Sequence, residues 1–223
     1  MEYVQPSIEL FGIEINEPVT ILTDLLISAV CFYAAAQFAK IKSGGVIGSL
    51  LFYYMLTMGL ATAIGGIVGH GLMNYLDFGW KLPGWLMSMF SITLIERASI
   101  FYAKPLIDRR LVRFFMWLNI IELLTFAYIS FSTLDFFYVE VHAAYGLLFV
   151  VTSFSIVVYS KTKDLGARDF LVAVFFSCLA ALFFTTKWGI GPWFTHFDIC
   201  HVFMAISSWF FFIGGKRMLL NPY

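Results

Sequence analysis

The segment Thr195-His196-Phe197-Asp198-Ile199-Cys200-His201 places two histidines and an aspartate in the first two turns of a long apolar run, and His70 stands near the far end of another. Imidazole nitrogens and carboxylates bind divalent cations or move protons, and inside an apolar helix they carry a cost that packing alone does not require. At about 100° per residue, Asp198 and His201 lie about 60° apart on one helical face, whereas His196 and His201 lie about 140° apart. The pair able to chelate within the helix is therefore Asp198–His201, and His196 joins only from the first turn, ahead of which Thr195 is suited to cap. His70, His196 and His201 would supply the three protein ligands of a zinc site that keeps a position for water. Asp198 would then hold a histidine tautomer or accept the proton of that water, with Asp24 as a second proton carrier. Calcium or magnesium would ask for more oxygens than this set offers. A hydrogen-bonded His/Asp cluster without metal is the competing reading of the same residues.

The elements that must position these groups are membrane helices. Across 223 residues, 61% are hydrophobic and 13% charged, which excludes an ordinary soluble domain. A helix needs about 20 apolar residues to cross a bilayer, and such runs lie near 18–40, 45–73, 83–104, 112–132, 136–160, 168–187 and 196–216. The expected fold is all-α, an integral membrane bundle of seven transmembrane helices over 18–217, flanked by a surface segment 1–17 and a tail 218–223. Lys40, Lys42, Lys104, Arg109, Arg110, Arg113, Lys161, Lys163, Arg168, Lys216 and Arg217 fall on one side, against Lys81 and Lys187 on the other. The positive-inside rule then predicts an outer N-terminus and a cytoplasmic C-terminus, in a multi-pass protein of the bacterial inner membrane.

Residues 1–17 are amphipathic and mildly acidic, with Pro6 and Gly12 interrupting any regular pattern, and are expected on the outer surface; no cleavable signal peptide is read there. Glu17-Pro18 suits a helix start, which puts Asp24 roughly 10 Å into the first helix. Cys31, Cys178 and Cys200 all sit in apolar runs and read as small buried hydrophobes. Zero formal net charge gives no pointer to nucleic acid.

Gly59, Ala63, Gly66 and His70 recur along the second run, and small side chains let helices approach closely in lipid. Glu96-Arg97 and Glu122 fall deeper, where Arg97 and Glu122 are expected to form a structural ion pair in preference to a proton relay. The aromatic residues of runs four to seven read as packing and lipid-facing surface.

Gly65-Gly66-Ile67-Val68-Gly69-His70-Gly71 and Asp198-Ile199-Cys200-His201-Val202-Phe203 resemble the second- and seventh-helix motifs of the alkaline ceramidase, progestin/adipoQ-receptor and related membrane hydrolase superfamily. The resemblance implies seven helices, with His70 and His201 as zinc ligands. The chain departs from that pattern in having Phe at 197, four before His201, and Gly at 66, where a serine is usual; Asp77 stands near the position of a later aspartate. Its His196-x-Asp198-x-x-His201 spacing is closer to an uncharacterised bacterial branch. The function so implied is a zinc-dependent hydrolase of a membrane lipid amide or ester, working near the outer leaflet. The alternatives are a non-catalytic receptor-like or assembly protein with a structural His/Asp cluster and, ranked last, a proton-coupled transporter using Glu96, Arg97 and Glu122.

Overall fold

A computed structural model describes residues 3–41 and 44–223; Lys42, one of the cations counted above, lies outside them. Seven helices among the described residues are long and apolar enough to span a membrane: α1 (Pro18–Phe38), α2 (Gly45–Gly71), α3 (Phe78–Leu106), α4 (Arg109–Thr133), α5 (Phe137–Thr162), α6 (Leu165–Thr186) and α7 (His196–Leu220). The chain is an integral, multi-pass, all-α membrane bundle. Helical hydrogen bonding satisfies every backbone group within its own segment, which is what an apolar run in lipid requires.

The N-terminal segment departs from the expectation of an irregular stretch. Strands β1 (Ile8–Leu10) and β2 (Ile13–Ile15) pair antiparallel, with Glu9 opposite Glu14. Phe11 and Gly12 form the two-residue turn, both at positive φ (54° and 77°). Gly12, read as an interruption, supplies the left-handed geometry that such a turn demands.

Around the bundle, α2 lies between α1 and α3, and α7 packs along both α1 and α6. The most enclosed span is α3, which touches α2, α4 and α5, whereas α4 is the least buried of the seven. Ser28 Oγ donates to the Gly59 carbonyl at 2.6 Å across the α1–α2 contact, the kind of bond that small interface residues permit in lipid. Three spans are not α-helical throughout: α3 opens (Phe78–Lys81) and closes (Lys104–Leu106) in 3-10 turns, and two others widen. Residues Gly65–Gly71 of α2 and Tyr145–Val151 of α5 are π-helical, a widening that recurs at functional sites because it rephases the side chains beyond it.

Candidate metal centre

Three helices converge on one spot. Asp24 projects from α1, His70 from the π-helical end of α2, and His201 from the second turn of α7, and one ligand atom from each lies within 4.8 Å of the others. His70 Nε2 is 3.9 Å from Asp24 Oδ2 and His201 Nε2 is 3.6 Å from Asp24 Oδ1. The approach depends on Gly66, where an added Cβ would lie 2.8 Å from Asp24 Cβ. Asp24 and His201 are buried, and His70 is partly open.

The far nitrogens fix the tautomers. His70 Nδ1 is 2.5 Å from Glu17 Oε2, so its N–H donates to the carboxylate and Nε2 is the nitrogen that points inward. Thr23 Oγ1 donates to the Thr20 carbonyl at 3.0 Å and lies 3.0 Å from His201 Nδ1. The His201 Nδ1–H therefore donates to Thr23, and its Nε2 lone pair also points inward. Two ring nitrogens thus face one carboxylate at 3.6–3.9 Å, too far for hydrogen bonds. Ligands held about 2.0–2.1 Å from a tetrahedral zinc stand roughly 3.4 Å apart. The donor set, the spacing and the second layer of carboxylate and hydroxyl partners all fit that ion.

Asp198 does not face this space. Its Oδ2 accepts from the Thr195 N–H (2.5 Å), the Thr195 hydroxyl (2.9 Å) and Gln5 Nε2 (3.3 Å), and its Oδ1 from Thr20 (3.0 Å), with the Thr23 hydroxyl 3.4 Å away. The expected Asp198–His201 chelate and the role of Asp198 as a base give way to a positioning role, because the start of α7 uses this carboxylate in a capping box with Thr195. Asp198 reaches His201 only through Thr23. Gln5, from the segment ahead of the hairpin, ties the same carboxylate to the start of α1 through Oε1, which accepts from the Val19 N–H at 2.8 Å. Asp198→Ala should leave the three inward-facing groups in place but weaken zinc about 10- to 100-fold, as loss of outer-layer partners does, a change that a zinc titration against a competing chelator reads directly.

His196, expected as a ligand, lies outside the convergent group: it is buried, its ring 4.2 Å from that of Phe197 and 6.2 Å from that of Phe184. Being five residues ahead of His201, it projects from another face of α7, and Asp24 occupies the third position in its place.

The deeper charges also differ from expectation. Arg97 and Glu122 do not pair. Arg97 Nε donates to Asn119 Oδ1 at 2.6 Å and Nη2 to the Met116 carbonyl at 3.2 Å. Asn119, on the same face of α4 as Glu122, takes the arginine and passes a hydrogen bond from Nδ2 to Glu96 Oε2 at 2.9 Å. Glu122 Oε1 instead meets His142 Nδ1 at 2.6 Å, and His142 Nε2–H donates to the Met89 carbonyl at 2.9 Å. Glu96, Glu122 and His142 are also close enough together to surround a cation, but a 2.6 Å contact is a hydrogen bond that holds one proton. The Glu122–His142 pair is neutral whichever partner carries it. Separation thus distinguishes the two clusters: the ring nitrogens of one stand beyond hydrogen-bond reach of its carboxylate, whereas in the other Glu122 and His142 share a hydrogen bond.

Neither this cluster nor that of Asp24, His70 and His201 was fully visible in sequence. Glu17 signalled only a helix start, and Thr20, Thr23 and Gln5 carried no distinguishing mark. Set against known proteins, residues 19–220 match a family model described as "Family of unknown function (DUF6962)". No curated protein and no solved structure matches the chain.

Proposed function

We propose that this chain, which belongs to the DUF6962 family of unknown function, is a zinc-dependent hydrolase of a lipid amide or ester. The observation that carries the reading is the convergence of two imidazole nitrogens on one carboxylate, each beyond hydrogen-bond reach of it. Zinc, when bound, would lower the pKa of a water towards neutrality and polarise the acyl carbonyl. The chain's own residues do the rest. Glu17 and Thr23 hold the two rings, and Asp198 holds Thr23. Asp24 would offer one carboxylate oxygen to the ion, and its other oxygen would take the proton given up when water adds to the carbonyl carbon and return it to the leaving nitrogen or oxygen as the acyl bond breaks.

The surroundings suit an apolar substrate. Phe197 lies edge-on to His70 with ring centres 5.3 Å apart, and Ile67, one turn before His70, is 47% exposed on the outer surface of the bundle. A lipid entering sideways would pass these residues before reaching the histidines. With the basic fringe in the cytoplasm, the site faces the outer leaflet, in keeping with a bacterial inner-membrane enzyme; the resemblance to ceramidase-type hydrolases favours the same bond class.

The test is release of fatty acid from fluorescent N-acyl and O-acyl lipids by detergent-purified protein. Turnover that chelation abolishes and zinc restores, and that Asp24→Asn lacks, is the expected result. Zinc-loaded protein with no turnover on either class would instead support the receptor-like or assembly reading, in which the metal is structural.

A further inference from the structure

A second feature lies at the opposite end of the bundle. Between the C-terminal half of α3 and the N-terminal half of α4 runs a groove of about 890 Å³ lined by Arg97, Lys104, Arg109, Arg113, Phe101 and Trp117, among others. Its volume falls in the roughly 300–1,000 Å³ range of ligand-sized clefts. The groove opens to the surroundings of α4, the least buried span, and Trp117 is 67% exposed along it.

The charges in it are uncompensated. Among the described residues, the arginine–carboxylate ion pairs are both made at Asp169, by Arg168 and Arg217. Arg97 is held by an amide and a carbonyl oxygen, and Lys104 lies over the Phe101 ring at 5.9 Å. Asp108, beside Arg109, is committed to capping α4 through the Arg110 N–H at 2.6 Å. Four cations therefore border one cleft with no anion of the protein in ion-pair contact. They are also graded in depth. Lys104 and Arg109 stand at the rim, Arg113 one turn in, and Arg97 about 10 Å along α3 from Lys104. Below the rim the walls turn apolar.

We propose that this groove is a binding site for an anionic phospholipid, whose phosphate sits between Arg109 and Arg113 and whose chains run along Phe101 and Trp117. Charge complementarity selects this occupant. A basic cleft between membrane helices at headgroup level attracts an anionic headgroup, whereas a zwitterionic lipid brings no net charge to offset the four cations. The inference is independent of the metal centre, which lies at the other ends of these helices.

Trp117 provides the readout. The emission difference between the parent and Trp117→Phe, in vesicles of phosphatidylcholine doped with brominated phosphatidylglycerol or with brominated phosphatidylcholine, reports which lipid sits against that ring. Brominated phosphatidylglycerol should quench it at a several-fold lower mole fraction. An Arg109→Gln/Arg113→Gln variant should lose most of this several-fold preference, because two of the headgroup-level cations that produce it are gone. Equal quenching by the two lipids in the parent overturns the proposal, as does a Trp117 shielded from both, which would mean that a second copy of the chain covers the groove. Should the double variant fail to fold, the comparison within the parent still decides.

Discussion

His142→Ala is expected to destabilise the bundle by roughly 3 kcal/mol, at the lower end of what breaking a buried pair costs, while Glu122→Gln should fold like the parent. His142 is fully buried and both of its ring nitrogens are engaged. Removing the ring leaves Glu122 Oε1 without its partner and opens a cavity, and both effects destabilise; the Met89 carbonyl keeps the Thr93 hydroxyl at 3.1 Å. The glutamine variant differs in kind. Its side-chain N–H can donate to the His142 Nδ1 lone pair, so the Nε2–H stays on Met89 and the pair stays neutral. Thermal unfolding in detergent should show His142→Ala melting about 6–12 °C lower, from the usual 2–4 °C per kcal/mol at this size. If instead Glu122→Gln fell as far as His142→Ala, a charge at Glu122, and not a shared proton, would be what the cluster requires.

Gly66→Ala tests the other cluster through a single methyl group. The new Cβ would lie 2.8 Å from Asp24 Cβ and 3.3 Å from the Ile21 carbonyl, and neither atom is the free end of a flexible side chain. Relief has to come from moving α1 away from α2, which carries Asp24 off its place between the two histidines. Overpacking of this kind costs about 1–3 kcal/mol, and a shift of about 1 Å in a reacting group costs on the order of 100-fold in activity. Gly69→Ala is the matched control, since a Cβ there meets nothing within 4 Å. Lipid-amide or ester turnover and zinc affinity should fall together in Gly66→Ala and hold in Gly69→Ala.

These comparisons show which parts of the site can be read from sequence. The spans are legible because a bilayer demands long apolar runs, and no run here needs tertiary context to be seen. His70 and His201 stand out because an imidazole in such a run is expensive. Their partners do not. Glu17 meets His70 across 53 positions, and Asp24 reaches the site only because Gly66 lets α1 approach, so both depend on helix packing that spacing within one helix cannot express. His196 and Asp198 illustrate the converse. Each is conspicuous beside His201, yet the rotation of α7 turns one away, and capping of the same helix occupies the other. The Arg97–Glu122 expectation failed for a similar reason: Asn119, unremarkable in sequence, sits on the α4 face where the arginine arrives.

The central claim is that α1, α2 and α7 share one zinc. The most direct measurement is metal content by mass spectrometry on detergent-purified protein, for the parent and for Asp24→Ala, His70→Ala, His201→Ala and His196→Ala. The account predicts about one zinc per chain in the parent, as for a single site with three protein ligands, lost in the first three variants and retained in His196→Ala. A well-folded parent without metal, or a His196→Ala variant that loses zinc as completely as the other three, would contradict it.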